Sequence, residues 1–195
     1  YVEPLLAKDA PDMILHADEK GHSVMLNTTL MGLTPEIWDR FKNLRFVNVH
    51  IHLPSATYHE MIGVEKPTRY VEIDGKEYKA ISQEYYDMIV YILQNPNNQA
   101  ILWHCHGDLH PQLYPLRNAV HVGVRDINSR AMNLLLEKTE KVPEKLNIRG
   151  KCPRVHQNVL LPDGNLSLCC QDYGLDSLMG NLSEQTWDEY RNSEH

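Results

Sequence analysis

Short apolar strands alternate with capped helices through residues 9–106, and this alternation restricts the fold more than any other feature. Segment 9–21 (DAPDMILHADEKG) offers Asp9 as a helix cap, Pro11 in the first turn and Gly21 as a stop. Met13, Ile14 and Ala17 give it an apolar stripe. Segment 23–29 (SVMLNTT) then reads as a strand. Segment 34–44 is a second helix, capped by Thr34, with Pro35 at its first position and Ile37, Trp38 and Phe41 as its apolar face. Segment 46–53 (FVNVHIHL) is a second strand, 82–94 a long helix carried by Tyr85, Met88, Ile89 and Ile92, and 100–106 (AILWHCH) a third strand. A chain with this rhythm folds as an α/β protein, with parallel strands joined by helical crossovers.

Interruptions of the rhythm mark the loops. Segment 68–80 contains Asp74-Gly75 between alternating residues, which predicts a hairpin, read here as a surface ornament. A His- and Pro-rich loop follows the third strand, and 120–124 reads as a short fourth strand. Segment 126–138 is expected to pass from loop to helix. The charged stretch 138–150, with Pro143 and Gly150, reads as a linker. It divides the chain into a domain at 1–140 and a small appendage at 141–195.

The appendage opens on Cys152. Val159, Leu160 and Leu161 precede the turn Pro162-Asp163-Gly164, and Leu166 and Leu168 follow it. This predicts a β-hairpin whose closure carries Cys152 towards Cys169 and Cys170. Thiolates grouped in this way suit zinc or an iron–sulfur cluster; buried thiols are the bland alternative. Segment 183–191 is expected to be a helix, capped by Ser183 and stapled by Leu182 against Trp187.

A second cluster lies on the strands. His50 and His52 are two apart, as are His104 and His106, so each pair shares one strand face, and His110 follows. Taken alone, four histidines on neighbouring strands suggest a metal-dependent hydrolase. Polar strand-end residues satisfied by neighbours, or lining a cofactor pocket, are the alternative. Composition limits the partners. A net charge of −7 argues against a dedicated nucleic-acid binder. No apolar run of about 18 residues predicts a membrane span. Four cysteines are too few and too unevenly placed for a disulfide scaffold, and a cytoplasmic location is expected.

The tail resembles the SPASM-type auxiliary domain of radical S-adenosylmethionine (SAM) enzymes. Cys152, eleven residues, Gly164, four residues and Cys169 follow the family pattern, as do Gly180-Asn181-Leu182 and Trp187 after it. Glu3-Pro4 resembles the end of a GGEP motif, with Tyr1-Val2 in place of the glycines. Asn27-Thr28-Thr29 resembles the third barrel strand, 47–52 the fourth, and Ser129-Arg130-Ala131 with Asn133-Leu134 the stretch before the SPASM domain. The resemblance implies a partial (β/α) TIM-like barrel followed by a hairpin-plus-helix appendage. It implies a [4Fe–4S] cluster and SAM as cofactors, with Glu3, Thr28, His50 and His52 on the SAM side. It places Cys152 and Cys169, with Cys170 beside them, at an auxiliary cluster. The implied activity is reductive cleavage of SAM and abstraction of a hydrogen from a substrate, which can be a small molecule, a peptide or a protein. The family's Cys-x3-Cys-x2-Cys loop does not occur in the sequence. The chain is therefore expected to be a fragment that is inactive by itself. A non-enzymatic module holding zinc through Cys152 and Cys169 is the remaining alternative.

Overall fold

A computed structural model describes residues 3–56, 63, 68–96, 101–125, 158–168, 175 and 177–193. The chain divides into two compact units, 1–127 and 128–195. The boundary expected at 140/141, the helix expected within 126–138 and the linker 138–150 lie outside the described residues.

The first unit starts with a 3-10 turn, Pro4–Leu6, and then runs through α1 (Ala10–Glu19), β1 (Val24–Thr28), α2 (Pro35–Phe41) and β2 (Phe46–Leu53). A hairpin of β3 (Tyr70–Ile73) and β4 (Lys76–Lys79) precedes α3 (Gln83–Gln94) and β5 (Ile101–His106). A second 3-10 turn, Pro111–Leu116, leads into α4 (Arg117–Val120) and β6 (Gly123–Arg125). Two helices start where the sequence puts caps. Thr34 Oγ1 accepts from the Ile37 amide at 3.3 Å, and Ser82 Oγ from the Tyr85 amide at 3.2 Å.

β1, β2, β5 and β6 form one parallel sheet in that spatial order. Each new strand is added on the same side of the last. Right-handed crossovers in such a series put every connection on one face of the sheet. That face carries Leu26, Val49, Ile51, Leu53 and Trp103, packed with Trp38, Phe41, Met88, Ile89 and Ile92 into the apolar core. Full burial of each such side chain is worth roughly 1.5–3 kcal/mol. The period-two alternation of β2 and β5 sends their histidines to the opposite face.

Three local expectations are corrected. The strand predicted at 120–124 is shorter, because α4 runs through Val120 and His121 takes a left-handed conformation (φ 39°) before β6. Asp9 makes no side-chain capping bond to α1. The hairpin 68–80 forms, with positive φ at both Asp74 and Gly75, yet it is not a loose ornament. The Ile81 amide donates to Gln112 Oε1 at 2.8 Å, and His110 bonds the Lys79 carbonyl at 3.1 Å.

The second unit contains a three-stranded antiparallel sheet, β7 (Val159–Leu160), β8 (Asn165–Ser167) and β9 (Leu178–Asn181), and a helix α5 (Trp187–Asn192). The hairpin β7–β8 is the one its turn residues predict; β9 adds a third strand. The helix starts later than expected. Its cap is Thr186, not Ser183, because Glu189 closes a reciprocal capping box with Thr186. Ser183 instead gives its amide to Asn181 Oδ1 at 2.7 Å.

Candidate functional site

The candidate residues fall into three groups. The first joins Glu3 to the end of β1. Glu3 Oε1 accepts from the Thr28 hydroxyl at 2.7 Å and from the Leu5 amide at 3.3 Å. Its Oε2 accepts from the Thr29 amide at 2.5 Å and from the Thr29 hydroxyl at 2.6 Å. Thr28 relays the contact, because its hydroxyl also accepts from the Leu30 amide at 2.9 Å. Glu3 and Thr28, both assigned to the SAM side by resemblance, are thus direct partners. A carboxylate has about four acceptor positions, and four donors already occupy this one. Thr28 faces the buried side of the sheet, whereas Asn27 faces the other side and is exposed. Sequence reasoning singled out Thr28 and gave no separate role to Asn27 or Thr29. The alternation within 23–29 carries the signal for Asn27; Glu3 and Thr29 are too far apart in the chain for any local pattern to pair them.

The second group is a polar sheet face built by β1, β2 and β5. Register sets Asn27 beside His50, and His52 beside His104. His50 Nδ1 lies 2.8 Å from His104 Nε2, so one nitrogen of the pair donates and the other accepts. The His50 and His104 rings stack with centroids 4.9 Å apart, and His52 and His106 with centroids 5.6 Å apart. Gly123 of β6 sits beside His104, and even a Cβ there would come within 3.5 Å of His104 Nδ1. Asn48 Oδ1 and His106 Nδ1 are buried and have no hydrogen-bond partner among the described residues. The two lie on the same sheet face but at opposite ends of it, Asn48 near the start of β2 and His106 at the end of β5. Among the described residues, no three His, Cys, Asp or Glu side chains are placed to hold a metal ion.

The third group, Cys152, Cys169 and Cys170, lies outside the described residues. The hairpin expected between them is present, and Gly164 sits in its turn. This glycine has φ 86°, and a Cβ on it would come within 2.3 Å of Ser183 Oγ and 2.6 Å of Asn181 Oδ1. Only glycine meets both demands. Asn181 then knits the unit together. Its Nδ2 donates to the Asp163 carbonyl at 3.3 Å and to Asn165 Oδ1 at 3.1 Å. The next residue, Leu182, donates its amide to the Gly164 carbonyl at 2.8 Å. Cys105 is the described cysteine. It is fully buried, and its thiol lies 3.6 Å from the carbonyls of Pro54 and Asp108, which gives it a structural place in the core.

The loops at the carboxyl ends of β2 and β5 are tied together. The Ala56 amide donates to the Asp108 carbonyl at 2.8 Å, and the His110 amide to the Pro54 carbonyl at 3.0 Å. The His110 ring is buried. Its Nδ1 accepts from the Gln112 amide at 3.2 Å, which leaves Nε2 as the N–H that donates to the Lys79 carbonyl. Burial lowers its pKa from the usual imidazole value, and the bond to Lys79 opposes this only in part. The folded state therefore holds His110 neutral where the unfolded chain takes up a proton. Stability is complete above the unfolded value of about 6.5 and falls as the pH drops through it. Denaturant midpoints measured from pH 7.5 to 5.5, each pH about one half-unit from the next, are expected to fall towards acid. The slope should flatten in His110→Gln. An unchanged slope would assign the pH dependence to other groups.

No helix among the described residues is long and apolar enough to cross a membrane. Comparison of the whole chain with family models, with curated proteins and with solved structures finds no match.

Proposed function

We propose that the chain is part of a radical SAM iron–sulfur oxidoreductase, with the second unit belonging to a SPASM-type domain. The observation that carries this reading is the agreement between the tail pattern and its structural demands. Gly164, Gly180 and Asn181 are motif positions by resemblance, and they are also the residues on which the β7–β8–β9 unit closes. At Gly180 an added Cβ would meet first the movable end of the Gln185 side chain, so the steric demand rests on Gly164. A pattern that coincides with such constraints is unlike a chance spacing of cysteines.

The first unit supplies a second, weaker support. Four parallel strands added in one direction, with a polar face opposite the helices, form an arc of the kind a (β/α) barrel closes from. His50 and His52 lie on that face, on the side that the resemblance gives to SAM. Glu3 would hold the end of β1 in place. The bound cofactors would supply reductive SAM cleavage and hydrogen abstraction; the protein binds and orients them. The substrate is proposed only as a class: a small molecule, a peptide or a protein.

Anaerobic reconstitution of the 195-residue chain with iron and sulfide tests the reading. Bound iron and sulfide are expected, with the iron lost in Cys152→Ala and Cys169→Ala and kept in Cys105→Ala. Metal analysis and visible absorption read the result. Zinc taken up in place of iron, or iron retained in Cys169→Ala, would overturn the assignment.

A further inference from the structure

Where the loops after β2 and β5 meet the β3–β4 hairpin, the first unit forms a half-open cavity of about 640 Å³. This falls within the range of small-molecule sites, roughly 300–1,000 Å³. Ligands of open α/β sheets bind outside the carboxyl ends of the strands, and Pro54 and Ser55 in the cavity wall directly follow β2.

The walls are fixed to one another. His110 joins the loop after β5 to both other walls, through the Pro54 carbonyl and the Lys79 carbonyl. Gln112 holds Ile81 just beyond the hairpin. Ser55 Oγ donates to the Asp108 carbonyl at 3.2 Å. A cavity braced in this way loses little freedom when it is filled.

Its chemistry is unlike that of the rest of the protein. The chain carries a net charge of −7, yet the charged side chains of the lining are Lys76, Lys79 and Glu77. Lys76 makes no ion pair among the described residues, and the hydroxyls of Tyr70 and Tyr78 make no hydrogen bond there. Lys76 and Tyr78 alternate onto one face of β4 and offer two donors on the same side, whereas Tyr70 and Glu77 belong to the other face of the hairpin. The Tyr70 and Tyr78 rings, Pro54 and Ile81 give the same cavity apolar walls, and Tyr78 packs edge-on against His110.

We propose that this cavity is a binding site for a small organic anion, a carboxylate carried on an apolar or aromatic body. The carboxylate oxygens accept from Lys76 and the Tyr78 hydroxyl, and the body lies against the Tyr78 ring, Pro54 and Ile81. The site lies in the first unit, its lining includes none of His50, His52, His104 and His106, and it requires neither SAM nor a cluster.

Ligand-observed NMR on the untreated 195-residue chain tests it, with benzoate as probe. Benzamide keeps the body and removes the charge; inorganic phosphate keeps an anion and removes the body. Saturable benzoate binding is expected, about tenfold tighter than that of benzamide, with no displacement by equimolar phosphate. Lys76→Met should weaken benzoate about tenfold, while Lys42→Met, at a surface lysine already paired with Asp39, should leave it unchanged. Lys76 is exposed on a hairpin, so its replacement leaves the core intact. The proposal is overturned by equal affinity for benzamide, by displacement with phosphate, by unchanged affinity in Lys76→Met, or by no saturation up to about 10 mM.

Discussion

Trp38→Ala is expected to lower the unfolding free energy of the first unit by about 4 kcal/mol. Trp38 has no exposed surface, and it sits on the α2 face that packs against the sheet. Its truncation removes a large apolar surface and leaves a cavity that the sheet and α3 cannot close. A second loss is polar. The indole Nε1 donates to the Asn95 carbonyl at 2.8 Å, across 57 residues of chain. Asn95 is the C-cap of α3, where carbonyls have no partner within the helix. The bond therefore satisfies one helix end with the core residue of another. Trp38→Phe separates the two effects. It keeps most of the packing and loses the bond, so about 1–2 kcal/mol is expected. Urea denaturation followed by circular dichroism reads both. A loss below about 1 kcal/mol for Trp38→Ala would show that α2 is not part of the cooperative core.

The sequence made legible the elements whose signals are local. Thr34 and Ser82 cap helices because a hydroxyl, a following acidic turn and an apolar stripe coincide within one segment. Asp74-Gly75 and Asp163-Gly164 make turns because each requires positive φ at its glycine. Competition between local signals was harder to read. Ser183 and Thr186 both lie just ahead of Trp187, but only Thr186 has a glutamate three positions on, and Asn181 already holds the Ser183 amide. His121 reversed the chain where the run from Val120 suggested a strand, and a left-handed histidine has no sequence signature.

The site residues followed the same division. Period-two alternation correctly predicts that His50 and His52 share a face, and likewise His104 and His106. It does not predict that β2 and β5 are neighbours in a register that brings His50 Nδ1 within 2.8 Å of His104 Nε2. The bracing role of His110 depends on a hairpin whose sequence looks like an insertion. Hydrogen bonds between distant segments decide what each polar residue does, and their partners are set by topology, not by spacing. The cavity is invisible in the sequence for the same reason. Lys76 and Tyr78 come to face the loops that end β2 and β5 only when the hairpin is fastened to them.

Replacement of Glu3 by alanine is expected to cost the first unit about 3 kcal/mol. The carboxylate accepts four hydrogen bonds, three of them across 25 residues or more, from the Thr28 and Thr29 hydroxyls and the Thr29 amide. The Thr28 side chain is nearly inaccessible, so alanine would leave its hydroxyl without the acceptor it donates to. Nearby, Gly32 (φ 84°) lets the loop after β1 approach this segment so closely that a Cβ would come within 2.3 Å of the Leu5 carbonyl oxygen. The acceptor and the close approach fasten the same two stretches of chain. Glu3→Gln should recover less than half of the loss, because an amide presents N–H groups to one pair of donors. Thr29→Val should cost about 1 kcal/mol, since the backbone amide still reaches Oε2. The double variant Glu3→Ala/Thr29→Val decides whether the contact is direct. If Oε2 holds the Thr29 hydroxyl, the two losses overlap, and the pair should cost about 1 kcal/mol less than their sum. Strict additivity would separate Glu3 from Thr29 and release the carboxylate for the ligand role that the family resemblance gives it. Overlap would make Glu3 the residue that sets the end of β1, acting on a cofactor only through the backbone it holds.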